Sequence, residues 1–197
     1  MTSFVRTIFL STILLIIAFC FSNCRGSFTY DKYVKELDSL KVVLEQSVDQ
    51  FKTIDSAVCF KAYSKQYTYS VYVNTHLKDT VSKTVAENLQ KMHSVEKGLR
   101  DYLLYRSYWI NDANISINQL LNLSNDIKHE TLEEDEALEF ISQEKKHAEQ
   151  MIDELKGNTE NLRNHLEVFN QSVPVCEAFL KTLNGGVLPE LIVPEIK

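Results

Sequence analysis

Residues Val85–Ile127 read VAENLQKMHSVEKGLRDYLLYRSYWINDANISINQLLNLSNDI, with no Pro and Gly98 as the one Gly. Apolar residues recur at helical spacing: Val85, Leu89, Met92, Val95, Leu99, Tyr102, Leu103, Trp109, Ile110, Ala113, Ile117, Leu120, Leu121 and Ile127. At one residue per 100° they cover a stripe about 160° wide. A helix packed on one neighbour needs a narrower stripe. The stretch therefore predicts the central rod of a helical bundle, flanked on two sides.

On the N-terminal side, a second rod is predicted from near Asp31 to about His76. Its apolar line is Tyr33, Val34, Leu37, Leu40, Leu44, Val48, Phe51, Ile54, Val58 and Ala62. Tyr67, Tyr69, Val71 and Val73 alternate like a strand, but no second strand exists to pair with them, and a lone strand leaves backbone groups unsatisfied. Lys78 to Lys83 reads as the connection, and Thr84 with Glu87 as a capping box opening the central rod.

On the C-terminal side, Asn122 to Glu130 is polar enough for a second turn. Thr131 and Glu134 repeat the capping box. The acidic run Glu133–Glu136 suits the positive end of a helix dipole and lacks the Gly and alternating ligands of a calcium loop. The third rod carries Leu138, Ile141, Ala148, Met151, Ile152, Leu155, Leu162, Leu166, Phe169 and Val173. Pro174 predicts a kink or restart, with Ser172 capping a short final helix. Asn184, Gly185 and Gly186 end it. The tail, 187–197, is apolar, broken by Pro189 and Pro194, and expected to be extended, either lying back on the bundle or entering a partner. The expected fold is all-α: an elongated, antiparallel, up-down-up three-helix bundle over 30–186, with a short kinked C-terminal helix and an extended apolar tail.

Composition agrees. The chain has 197 residues, 44% hydrophobic, with five Gly and three Pro, which leaves little punctuation for an all-β fold. A formal charge of −6 argues against nucleic acid as a partner.

Met1 to Cys24 resembles an export leader, with Arg6 ahead of an apolar run from Ile8 to Phe21. Phe21-Ser22-Asn23-Cys24 resembles a lipobox, the site cut by bacterial lipoprotein signal peptidase. That resemblance implies a signal peptide over 1–23, lipidation (a palmitate-type acyl chain) of Cys24, and a tether over 24–29. Phe21 and Asn23 depart from the commonest box and are similar to the looser boxes of Bacteroidetes lipoproteins. Arg25-Gly26-Ser27 lacks the acidic run associated there with surface export, which implies an outer-membrane anchor facing the periplasm. Ordinary secretion with a cut before Ser27, and a retained membrane anchor, are the alternatives.

Few residues suggest chemistry. Cys59 and Cys176 remain once Cys20 and Cys24 are assigned to the leader. Turns near Thr80 and His129 would place Cys59 opposite about residue 157, roughly 25–30 Å along the axis from Cys176, too far to bridge. Glu144 and His147 form a single Glu-x-x-His, where a di-iron bundle needs two. His76, His93, His129 and His165 show no zinc spacing. No phosphate loop or nucleophile elbow occurs. No catalytic residue, metal site or cofactor is expected, and the chain does not read as an enzyme.

The candidate interaction patch lies on the central rod, where Leu104, Tyr105, Tyr108 and Ile115 leave the core stripe; Tyr63, Tyr67 and Tyr72 add to it from the first rod. The tail or a flanking helix would otherwise cover them. Together with the leader, Leu37-Asp38-Ser39-Leu40, Thr84-Val85-Ala86-Glu87-Asn88-Leu89 and Asn184-Gly185-Gly186-Val187-Leu188-Pro189 resemble small helical lipoproteins of Bacteroidetes. The resemblance implies a membrane-tethered, non-enzymatic scaffold or interaction protein, binding an envelope protein, and brings no catalytic residue with it. The rivals are a secreted helical protein glycosylated at Asn114, Asn122 and Asn170, and one holding an apolar small molecule among Tyr102, Trp109 and Phe169.

Overall fold

The computed structural model describes residues 30–196; the leader, Cys24, the tether through Thr29, and Lys197 lie outside the described residues. All regular structure in the described chain is helical: α1 (Tyr30–Lys52), α2 (Ser56–His76), α3 (Lys83–Ser94), α4 (Glu96–Lys128) and α5 (Glu134–Leu183). Tyr67 to Val73 is part of α2, not a strand. No described helix is long and apolar enough to cross a membrane.

The first expected rod is two helices. At the break, the Thr53 hydroxyl donates to the Gln50 carbonyl (2.6 Å), and Asp55 caps α2 by accepting from the Ala57 N–H (2.7 Å). These are local side-chain bonds of the kind that compete with a continuous helix. The central rod also has a hitch, since buried Val95 separates α3 from α4 while its carbonyl still accepts from Leu99 (3.1 Å).

Neither expected capping box forms. Ser82 caps α3, accepting from Val85 (3.4 Å), and Glu87 pairs with Lys83 (3.8 Å). The helix starts two residues earlier than a cap at Thr84 requires. The Thr131 hydroxyl donates back to the Asp126 carbonyl (3.0 Å), leaving Glu133 at the α5 start without a side-chain cap bond. The second turn falls at the end of the expected Asn122–Glu130 stretch, near His129, because α4 runs on to Lys128; Glu130 then takes a positive φ of 52° to reverse the chain.

The expected short final helix is absent. Helix α5 runs 50 residues, about 75 Å, with Pro174 inside it. Pro174 and Asn170 are both exposed, so water can satisfy the Asn170 carbonyl that loses its donor. Phe169, Ser172, Cys176 and Leu180 are buried on both sides of the proline and hold the helix against its neighbours. Ser172 is no cap; its hydroxyl donates to the Val168 carbonyl (2.8 Å).

Helix α1 packs chiefly on α4 and α5, burying Val34, Leu37, Leu44, Val48 and Phe51. Val58 and Leu121, expected in the core, are 50% and 41% exposed. The polar cross-links are ordered. Lys145 pairs with Glu36, Arg163 with Thr53, and Lys65 with Glu177, so α5 partners rise in number along the first two helices. Ser124 donates to Asp38, Tyr102 to Ile54 and Gln66 to Glu96, so α4 partners fall.

Helix α2 is buried on most sides: Cys59, Ala62, Tyr63, Ser64, Gln66, Thr68, Tyr69 and Val73 all lie inside. The tail accounts for part of this. Gly185 and Gly186 adopt φ of 62° and 96°, the Gly186 N–H closing on Lys181 (2.8 Å), and the chain turns back. Thr68 then accepts from the Ile192 N–H (2.9 Å) while donating to Ser64 (2.7 Å), and Leu188 and Ile196 pack on the core.

One ionic cluster joins α2 to α5. Glu177 accepts from Lys65 (2.7 Å) and Tyr69 (2.8 Å). Burial alone would raise its carboxyl, but the Lys65 and Tyr69 hydrogen bonds, with the charges of Lys65 and Lys181, outweigh it and hold the group below the usual carboxylate range. A lowered folded pKa stabilises above the unfolded value, and that contribution is lost as pH falls through the folded one. Glu177→Gln is therefore expected to cost about 1–2 kcal/mol at neutral pH. The gap in urea midpoints between variant and wild type should be constant above about pH 6 and shrink in acid below about pH 4.

Candidate functional site

The patch anticipated on the central rod lies on α4. Tyr105, Tyr108 and Ile115 are 50%, 64% and 48% exposed, while Leu104 is half-buried. The tail does not cover them, because it lies on α2. The residues expected to join from the first rod do not. Tyr63 is buried, Tyr67 half-buried, and Tyr72 stacks on His76 (centroids 4.0 Å apart) beside a smaller pocket of about 280 Å³ under the tail.

Next to Tyr105 the surface dips into a cleft of about 510 Å³ between α4 and α5. Helix α4 contributes Lys97, Gly98, Asp101, Tyr102, Tyr105 and Trp109; Ser94 adds the end of α3. Helix α5 contributes Asn158, Asn161, Leu162 and His165. Trp109 is anchored edge-on against Phe51 (5.8 Å, 75°) and tilted against Tyr105 (6.1 Å, 48°). Phe51 also meets Tyr102 edge-on (5.6 Å). The aromatic wall is thus fixed from behind by the core, while its outer ring stays in water.

Gly98 sets the floor. A Cβ there would collide with the His165 imidazole, so the one glycine of the central stretch leaves room for that ring against α4. Opposite the aromatic wall, Asn158 and Asn161 are one turn apart on α5. Neither side-chain amide is hydrogen-bonded to another described residue, although Asn158 is half-buried.

Sequence reading missed the α5 half of this cleft. Asn158, Asn161 and His165 are scattered polar residues until α5 is laid against α4. Gly98 and the i, i+3 asparagine pair were the available signals. The cleft is also unlike the apolar pocket considered earlier: Tyr102 and Trp109 line it, but Phe169 does not, being 4% exposed in the core.

The remaining candidates carry little chemistry. Cys59 and Cys176 are buried and unpaired. Burial pushes both thiols up to about 11, so they are poor nucleophiles at neutral pH. With Lys65 level with Glu177, Cys59 stands near the level of residue 171. That is about 8 Å along the axis from Cys176, much less than the separation expected. Reflecting the chain through turns at Thr80 and His129 ignored the non-helical residues 77–82 and 129–133, which use length without axial rise in register. His147 is exposed, and no group of three or more His, Cys, Asp or Glu among the described residues could hold a metal ion.

No protein-family model, curated protein or solved structure matches the chain.

Gly98→Ala should push the half-exposed His165 ring out of the cleft, with the gain in helix propensity keeping the net change in stability within about 1 kcal/mol. A shifted His165 ring resonance with a nearly unchanged urea midpoint would show this. An unchanged ring signal would mean that α5 does not press on Gly98.

Proposed function

We propose that this protein is a non-enzymatic interaction or scaffold protein of the bacterial envelope, with three helical layers in up-down-up order and a lipid on Cys24 holding it to the membrane. The rising α5 and falling α4 cross-links support that layering. The lipobox-like Phe21-Ser22-Asn23-Cys24 after an apolar leader supports the anchor. Acyl chains would hold the protein because each buried methylene contributes about 0.8 kcal/mol.

The observation that carries the binding role is Tyr108, 64% exposed beside half-exposed Tyr105 on a helix whose opposite face is core. Tyr offers large amphipathic contact area at small entropic cost, and such residues recur at the centres of protein interfaces. The partner proposed for this face is an envelope protein.

Two measurements test the reading. Tyr105→Ala combined with Tyr108→Ala should leave thermal stability within about 0.5 kcal/mol of wild type and abolish a crosslink formed in the native envelope. Loss of stability with the crosslink intact would refute the interface. Cys24→Ser should abolish incorporation of labelled palmitate and release the protein from the membrane fraction; unchanged attachment would refute the anchor.

A further inference from the structure

We infer that the cleft between α4 and α5 binds a neutral saccharide chain. This goes beyond the protein interface proposed above and shares only Tyr105 with it.

Three features carry the inference. The first is the pairing of walls. Tyr105 and Trp109 line the cleft one helical turn apart with their rings tilted by 48°, and Phe51 backs Trp109. The C–H face of a sugar ring is apolar and packs flat on such a surface, while its hydroxyls point sideways. Those hydroxyls meet Asn158 and Asn161, whose amides have no bond to another described residue. A carboxamide offers a donor and an acceptor side by side, and a pair of neighbouring hydroxyls does the same.

The second is charge. Asp101 is paired with Arg100 (3.3 Å), and Lys97, one turn earlier on α4, is exposed at the cleft's edge. The cleft's one carboxylate is already paired and its lysine lies in water, where an ion pair contributes little, so an uncharged, hydrogen-bonding ligand suits the asparagine pair best. An apolar ligand would strand the asparagine amides out of water.

The third is shape. The α4 wall from Lys97 to Trp109 covers about 18 Å of axis and the α5 wall from Asn158 to His165 about 10 Å, and the cleft lies open along them. That favours a linear chain of several rings over one small molecule enclosed on every side.

The chain's single tryptophan, Trp109, lies in the cleft and reports occupancy directly. The full mature protein would be titrated with tetramers of β-linked glucose and of N-acetylglucosamine, following intrinsic fluorescence. A saturable change in Trp109 emission with one of them is expected. Asn158→Ala combined with Asn161→Ala should weaken that binding about tenfold while leaving the sugar-free emission spectrum and thermal midpoint unchanged. No saturable change with either tetramer at millimolar concentration would overturn the inference, as would equal binding by the asparagine variant. Saturation by a mixed-sequence peptide pool in place of sugar would overturn it too, and would assign the cleft to peptide. The envelope crosslink through Tyr105 and Tyr108 is read separately, so failure of the saccharide site is distinguishable from failure of the interface.

Discussion

The Tyr102 hydroxyl donates to the Ile54 carbonyl at 2.8 Å, and most of the architecture depends on that bond. Breaking a rod between Lys52 and Ser56 frees backbone groups in the middle of a core, where an unpaired carbonyl costs about 1–3 kcal/mol. Tyr102 supplies the missing donor from the next layer. Arg106 in turn donates to the Tyr102 oxygen at 3.0 Å. Burial raises the Tyr102 phenol, and Arg106 offsets part of that rise, so the group stays a neutral donor through physiological pH. The ring beneath the hydroxyl packs on Phe51, which also supports Trp109. The break in the first rod and the aromatic wall of the cleft are therefore fixed by one cluster.

Beyond the break, α2 needs cover on more faces than two long neighbours provide. Gln66 is fully buried, with its amide nitrogen shared between Ser70 (3.0 Å) and Glu96 (3.1 Å), and Thr68 holds the tail. Polar residues inside α2 thus specify which segments cover it, while the more regular α1 buries an ordinary apolar stripe. This explains why α2 has weak amphipathic patterning although it is one of the most buried helices.

The periodicity of Leu99, Tyr102, Ala113, Leu120 and Ile127 made the all-helical class and the buried face of α4 legible in the sequence. The glycine stop at Gly185 and Gly186 was equally plain, because positive φ there demands it. What failed was punctuation. Thr84 with Glu87 and Thr131 with Glu134 satisfy the capping-box pattern, yet Ser82 caps α3 and Thr131 bonds back to Asp126 instead, and pattern alone does not rank such local competitions. Pro174 was overrated because its cost depends on whether the freed carbonyl can reach water. Tyr105 and Tyr108 were legible as residues off the core stripe. Asn158 and Asn161 were not, since their meaning comes from the helix opposite, and register between distant helices is invisible to a periodicity argument.

Helix α5 has a consequence for how the molecule comes apart. It holds α1 through Lys145 at one end and α2 through Glu177 at the other, so it acts as a keel to which both shorter planks are fastened. Neither plank can peel off without exposing part of that keel. Thermal melting should consequently proceed as a single cooperative event, with the slowest amide exchange along the middle of α5.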